Sequence, residues 1–508
     1  MSSSPERLHR RSALRRTIVL AALLASPMAV AAPPQKLDRG LAAADGPVAV
    51  MIQLWPDAVA PTPVRGPGEP IAGFRARLVE HWRAQAGRSQ AGVRAQLDAA
   101  GIPWRAYWLG NSIAATLPAQ HLAALAARAE VRHIHADRGL GLVEPVPEPV
   151  VALAPAAPQA VEWGVARIRA PEVWAAGITG QGVVVAGQDT GVRWDHQALR
   201  SQYRGWDGAT ASHDHNWHDA IHELIGTGSN PCGLDSPVPC DDNNHGTHTV
   251  GTIVGDDGGS NQIGVAPGAR WIACRNMEAG DGRPSTYTEC FQWFLAPTDL
   301  AGNNPTPALA PDVINNSWGC PPAELCDPPT LLAEVVDQVR AAGIVVVASA
   351  GNTGSGCGSI TAPPAMYDAA FTVGASTSAE AMAGFSSRGP VPGDVAGAIK
   401  PDVSAPGASV RSATRSGTST YSTLSGTSMA GPHVAGVVAL LIATDPNLRG
   451  DVARIEQILA TTAVPLTLSQ TCGGIAPATY PNHVAGHGRI DAWAAFRVAE
   501  TLLVDGFD

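Results

Sequence analysis

An α/β fold with a mostly parallel sheet and helices on both faces, preceded by a small α+β domain, is what this 508-residue sequence predicts. Three observations carry that reading. From Trp163 onward, short apolar runs alternate with helix-length segments, the pattern of a parallel sheet covered on both sides. Ahead of them, strand-like and helix-like segments alternate between residues 47 and 137. Between the two lies LVEPVPEPVVALAPAAPQAVE, a Pro/Ala/Val-rich stretch suited to an extended, exposed linker.

Taken in chain order, Arg10, Arg11, Arg15 and Arg16 precede a short apolar run ending in Ala29-Val30-Ala31, the composition of a secretory signal peptide over residues 1–31. The run is short for a bilayer span and Ser26-Pro27 interrupts it; no membrane span is expected there or later. The small domain, 32–140, begins with the strand-like PVAVMIQL (47–54) and continues with helical composition over 70–99. Ile113 to Leu117 is a second extended segment. A helix follows with Leu122, Leu125 and Ala126 on one face, then the strand-like VRHIHAD. Residues 141–160 read as a linker and processing region and 161–508 as the larger domain, whose strands are GVVVAGQD, ARWIAC, DVINNSW, GIVVVASAG and AFTVGAS. In such a sheet chemistry belongs at the carboxyl ends of the strands.

Residues 1–156 carry 17 basic and 11 acidic side chains, the remainder 17 and 33, for a net charge of −10. An acidic larger domain excludes nucleic acid as its partner. All eight cysteines lie beyond residue 230, and in an exported chain an even number reads as disulfides. Short loops suggest Cys232 with Cys240 and Cys320 with Cys326, among the 105 pairings that eight cysteines allow. No CxxC occurs.

Three stretches carry chemistry. Asp189 ends GVVVAGQD, so its carboxylate emerges at a strand's carboxyl edge; alone, it reads equally well as a turn former. In NNHGTHTVGTIVG, His245 stands at a helix start, exposed to the cleft, with His248 one turn on; alone, either is a cap or a packed residue. In SGTSMAGPHVAG, Ser428 stands at the start of an apolar helix, where orphan backbone N–H groups and the positive dipole end favour a developing oxyanion. It is also an ordinary place for a capping serine. Pro432 is tolerated there as part of the first turn or so.

Asp, His and Ser occur in that order, 56 and then 183 residues apart, on an α/β pattern. DTG, HGTH and GTSMAGPHVAG resemble the three signature stretches of the subtilisin-like serine peptidases, whose chain order is an established template. The resemblance runs from about Trp163 to Ala495 and includes IGVAPGA, FSSRGP and KPDVSAPG. It is strongest to bacillopeptidase-F-like members, through WDHQAL, NWHDAI and GDDGGSNQIGVAPGARWIA. It implies a secreted endopeptidase, extracellular or periplasmic, acting on protein or peptide substrates through an acyl-enzyme. Ser428 is then the nucleophile, His245 the base and Asp189 its orienter. Asn352 in SAGN matches the oxyanion donor, with Asn315 and Asn316 as rivals, and Ser317, Trp318 and Gly319 match the substrate-binding strand. Residues 47–137 resemble the family's inhibitory propeptide, which makes the chain's own propeptide a partner and the precursor self-processed.

No cofactor is required for catalysis on this reading and a monomer is expected. Metal ligands stay unknown: Asp256, Asp257 and Asn261 leave room for a structural calcium without defining a ligand set. Three features depart from the pattern or stand outside it. Gln188 occupies a usually apolar position. A long insertion holds His213, His215, His218 and His222, a surface loop in which His218 and His222 could also meet zinc. The terminal VDGFD suggests a sorting or processing tail. Two other classes stay open: a noncatalytic binding protein on the same scaffold, and a metal-dependent hydrolase built on the insertion.

Overall fold

In the computed structural model, residues 36–38, 41, 46–57, 59–141, 161–226, 229–319, 330–393 and 398–505 are described. The proposed signal peptide, nearly all of the 141–160 linker, Cys320, Cys326 and the last three residues lie outside them.

The first layer is a four-stranded antiparallel sheet in the order β2-β3-β1-β4, made of β1 (Pro47–Leu54), β2 (Trp104–Tyr107), β3 (Ser112–Pro118) and β4 (Val131–Ala136). Helices α1 (Ile71–Ser89), α2 (Ala91–Ala99) and α3 (Leu122–Ala126) connect the strands. Ile52, Ile113 and Ile134 point to one face and pack with Val93, Leu97, Leu122 and Leu125. The single helix expected over 70–99 is divided at Gln90, whose buried side-chain amide donates to Tyr107 O (2.8 Å) and to Asn111 Oδ1 (3.1 Å). The edge strand β2 was not foreseen, being four residues long and bounded by Pro103.

The larger layer is a seven-stranded sheet in the order β14-β13-β12-β11-β6-β8-β7, with every neighbouring pair parallel. Its strands are β6 (Val184–Asp189), β7 (Trp217–Asp219), β8 (Arg270–Arg275), β11 (Val313–Asn316), β12 (Val345–Ser349), β13 (Phe371–Ser376) and β14 (Val403–Pro406). Val185, Val313, Val345, Val347 and Val373 turn to the face covered by α6 (His245–Val254), α9 (Thr427–Thr444) and α11 (Ala492–Asp505). Ala186, Ile314, Val346 and Ala348 turn to the other face, with α7 (Pro284–Leu295) and α8 (Ala333–Ala341). These apolar strands, buried on both faces, justify the parallel reading. The remaining short elements are β5 (Leu140–Gly141), α4 (Trp163–Arg167), α5 (Ala170–Ala175), β9 (Met277–Glu278), β10 (Asp281–Gly282), β15 (Val410–Ala413), β16 (Tyr421–Leu424) and α10 (Val452–Thr461).

Contrary to expectation, one later segment is long and apolar enough to cross a membrane. It is α9, and 94% of it is buried, so it serves as the core helix of the sheet. The terminal helix α11 reaches Asp505, which places the start of VDGFD in regular structure. Cys232–Cys240 are bonded as expected; Cys274–Cys290 and Cys357–Cys472 form two further disulfides.

From β6 the chain runs to β8 on one side, and β11 then enters on the other side of β6. The carboxyl ends of β6 and β11 therefore form a topological switch point, where open parallel sheets bind ligands.

Candidate active site

Asp189 is the last residue of β6, and His245 opens α6 directly above it. His245 Nδ1 lies 2.7 Å from Asp189 Oδ1, and both side chains are buried, at 1% and 3% exposure. A carboxylate oxygen only accepts, so Nδ1 carries the proton and Nε2 is left as the basic nitrogen. Asp189 Oδ1 also accepts Thr190 N (2.7 Å), and Oδ2 accepts the Thr249 hydroxyl (3.3 Å). The expectation that His245 is exposed to the cleft fails: its side chain is buried beside Asp189.

A residue not singled out in the sequence holds this pair in place. Asp241, buried four residues before His245, accepts Thr190 Oγ1 (2.9 Å), Asn243 N (3.0 Å), Asn244 N (2.8 Å), Thr247 N (2.9 Å) and the Thr247 hydroxyl. Burial raises its pKa against these hydrogen bonds. Asp241 thus ties the loop after Asp189 to the first turn of α6. The signal available was an acidic residue just ahead of a helix start.

Ser428 is the second residue of α9 and 3% exposed. Its hydroxyl donates to Ser317 O (3.2 Å), while Ser317 Oγ donates to Ser428 O (3.0 Å). The second contact has a covalent cause. Pro432 lies in the second turn of α9 rather than the first, and its missing N–H would have bonded the carbonyl of Ser428. Ser317, just beyond β11, supplies the donor instead. Gln188 and Asn316 face each other across β6 and β11, so Asp189 and Ser317, one residue further along each strand, stand side by side at the sheet edge. Through these contacts the starts of α6 and α9 come to the same edge.

Asn352, after β12, accepts Thr427 N (2.9 Å) and Thr427 Oγ1 (2.9 Å) through Oδ1. These two donors fix the orientation of the amide, so Nδ2 is the group facing the pocket that Asn352 lines with Ser428. The rival asparagines are spent elsewhere. Asn316 donates to Ile314 O (3.2 Å) and Val347 O (2.9 Å) and accepts from Gln188, and Asn315 donates to Ser317 Oγ (2.8 Å). The departure at Gln188 is thus a buried amide pair with Asn316.

The pocket beside Ser428 is walled by small uncharged residues, among them Gly319, Ala350, Gly351, Ala362 and Ala365. A Cβ on Gly319 would lie 3.2 Å from that of Ala362. Trp318 lies beneath, 3% exposed and stacked on Tyr287 at 3.8 Å between centroids. β11 is an interior strand, paired on both sides, and Ser317, Trp318 and Gly319 continue the chain beyond it. A strand already lies on β10: Asp281 and Gly282 pair antiparallel with Gly141 and Leu140. A Cβ on Gly282 would fall 2.3 Å from the Tyr287 hydroxyl, so this ledge is confined to backbone.

The other histidines do not join the site. His248 Nε2 faces Val410 O (3.1 Å) and Ser422 O (3.3 Å), and burial with the neighbouring His245 pushes its pKa down to about 3. His433 is buried against Met429 O, its pKa lowered by burial to about 4. His196 faces Thr420 O (2.9 Å). His213 meets the Tyr203 hydroxyl (3.0 Å) and His215 faces Asn304 O (3.1 Å). His218 and His222 both meet Glu289 Oε1, at 2.8 Å each. Asp257 accepts Gly259 N (2.9 Å), Asn261 N (3.1 Å) and the side-chain amide of Asn261 (2.6 Å).

What the parallel sheet presents at its carboxyl edge is the chemistry of a serine hydrolase: a basic imidazole nitrogen, a hydroxyl at a helix start and an amide donor beside it. The model of the subtilase family matches residues 180–488, and the chain belongs to that family of subtilisin-like serine peptidases. It is 43% identical over 343 residues to bacillopeptidase F of Bacillus subtilis (strain 168), covering 66% of this chain and 22% of that protein. It is 34% identical over 310 residues to subtilisin of Bacillus pumilus (61% and 93% covered), and 36% identical over 290 residues to M-protease of Shouchella clausii (57% and 61%). The chain thus spans about a fifth of the length of bacillopeptidase F.

Proposed function

We propose that the protein is a secreted, monomeric serine endopeptidase that hydrolyses peptide bonds in protein or peptide substrates and is made as a self-processed precursor. Ser428 Oγ attacks the scissile carbonyl while His245 Nε2 takes its proton, and Asp189 stabilises the imidazolium. Asn352 Nδ2 and the backbone N–H of Ser428 donate to the oxyanion. The tetrahedral species expels the amine, which takes the proton from His245, and water then releases the acyl group from Ser428 by the same steps reversed. The observation that carries this reading is the 2.7 Å contact between buried His245 and Asp189 at a switch point that also holds Ser428. The uncharged pocket favours a neutral side chain on the acyl side of the cleaved bond.

The proposed division is a signal peptide at 1–31, a propeptide at 32–140, a processing region at 141–160 and the peptidase domain from 161. Contacts of the small domain with α7 and α8 support it. Asp137 accepts Ser285 N at the start of α7 (2.9 Å), and Gln292 and Gln338 accept Trp108 N (2.7 Å) and Gly110 N (2.8 Å). Arg75 donates to Ala310 O, Ala342 O and Gly343 O. The chain then leads through Leu140–Gly141 onto β10, as a retained product would. Catalysis needs no cofactor on this reading, and a structural calcium remains part of the proposal.

The test is a fluorophosphonate probe with mass analysis of the wild type and Ser428→Ala. Labelling at Ser428, a mature N-terminus within 141–160 and an uncleaved Ser428→Ala precursor are expected. A mature protein that the probe does not label, or a variant that processes itself normally, would overturn the assignment.

A further inference from the structure

The small domain contains a cluster that the peptidase reaction does not use. His133 and His135 stand two apart on β4, so strand alternation places both on the face opposite Ile134. The segment Lys36–Asp38 lies along this edge strand: Asp38 N donates to Ile134 O (3.1 Å) and Ile134 N to Lys36 O (2.8 Å). Asp38 Oδ1 is thereby brought to 2.8 Å from His133 Nε2 and 3.4 Å from His135 Nδ1. All three ligand atoms lie within 4.8 Å of one another.

We propose that Asp38, His133 and His135 form a zinc site that fastens the leading segment of the small domain to its edge strand. Bonds of about 2.0–2.1 Å in a tetrahedron place ligand atoms about 3.3 Å apart, which side-chain adjustments of a few tenths of an ångström to about an ångström reach from these separations. Two imidazoles and one carboxylate, with the fourth position left to water, are a donor set suited to zinc.

The surroundings favour the metal over the bare cluster. His135 is 3% exposed, yet its two nitrogens have only marginal partners, Asp38 at 3.4 Å and Gln53 Oε1 at 3.5 Å. A metal on Nδ1 would satisfy that nitrogen and orient Nε2–H toward Gln53, as an outer partner does for a ligating histidine. Asp38 Oδ2 is fixed by Ala136 N (2.9 Å), so Oδ1 is the oxygen turned to the two histidines. Met51, opposite His135 in the register, packs on Leu331 of the larger domain, so the site backs onto the surface between the two layers.

The test uses the full chain carrying Ser428→Ala, verified intact by mass, titrated with zinc chloride by calorimetry and with cobalt(II) by visible absorption. One equivalent and a tetrahedral cobalt band are expected. His133→Gln/His135→Gln should weaken zinc at least about 100-fold, with His218→Gln/His222→Gln binding as the parent does. If the first variant fails to fold, Asp38→Asn, which still accepts Ala136 N–H, should weaken binding at least about 10-fold with the circular dichroism unchanged. No binding by the parent, unaltered binding in the His133/His135 variant or in Asp38→Asn, or loss of binding only in the His218/His222 variant would overturn the proposal.

Discussion

Asn352 and Thr427 are joined twice: one amide oxygen accepts both the backbone N–H and the hydroxyl of Thr427, at 2.9 Å each. The side chain thus anchors the start of α9 with its oxygen and presents its nitrogen to the pocket. The two roles separate by substitution. Asn352→Asp keeps the acceptor and loses the donor, so kcat should fall about 100–1,000-fold, the magnitude known for subtilisin, with stability nearly unchanged. Asn352→Ala loses both and should add about 1 kcal/mol of destabilisation. Steady-state kinetics paired with urea unfolding distinguishes them, and equal stabilities of the two variants would refute the anchoring role.

Ser317 and Pro432 form a second dependency. The proline leaves the carbonyl of Ser428 without its helical donor, and the Ser317 hydroxyl replaces it at 3.0 Å. Ser317→Ala leaves a buried carbonyl unpaired, at a cost of about 1–3 kcal/mol. Because that carbonyl belongs to the proposed nucleophile's own residue, kcat should fall with little change in KM, and Ser317→Thr should restore both stability and kcat. A stable, fully active Ser317→Ala protein would contradict the coupling.

Asp241 touches no reacting atom in the proposed mechanism, yet it positions both His245 and the loop after Asp189. Asp241→Ala leaves the hydroxyls of Thr190 and Thr247 and three backbone N–H groups without their acceptor, so a loss of about 2–4 kcal/mol is expected by chemical denaturation. Asp241→Asn retains part of the acceptor set and should recover about half of it. The kcat/KM of Asp241→Ala should fall as well, whereas a variant that loses stability alone would confine Asp241 to capping α6.

The parallel strands were legible because burial on both faces makes them continuous apolar runs, as in GVVVAGQD and GIVVVASAG. Two strands of the same sheet were not. β7 is three residues, Trp-His-Asp, inside a histidine-rich insertion, and β14 is four residues ending in Pro406. Neither has enough length for a period to show. Asp189, His245, Ser428 and Asn352 each stand beside a distinctive local pattern. Asp241, by contrast, gains its meaning from Thr190, 51 residues away, a partner that no local pattern reveals. The ledge at Asp281–Gly282 was missed for a related reason: its two residues carry no apolar pattern, and its pairing with Leu140–Gly141 is made by backbone groups.

Glu289, largely buried on α7, makes the stability of the protein depend on pH. It accepts His218 and His222 at 2.8 Å each and the Tyr107 hydroxyl of the small domain at 3.0 Å. Burial alone would raise its pKa, but the two histidines outweigh that and hold it well below the ordinary glutamate range. Burial likewise opposes protonation of His222, and so does Arg105; the hydrogen bond and charge of Glu289, with Asp235, raise its pKa nonetheless. A raised histidine stabilises fully below its unfolded pKa of about 6.5 and loses that contribution as pH climbs through the folded value. A lowered glutamate stabilises fully above about 4.5 and loses its contribution as pH falls through the folded value. The cluster therefore contributes most between about pH 4.5 and 6.5. On the full chain carrying Ser428→Ala, the difference in melting temperature between the parent and His222→Gln should peak in that window and shrink toward alkaline pH. A difference that stays flat from pH 5 to 9 would show that His222 acts there as a neutral hydrogen-bonding group.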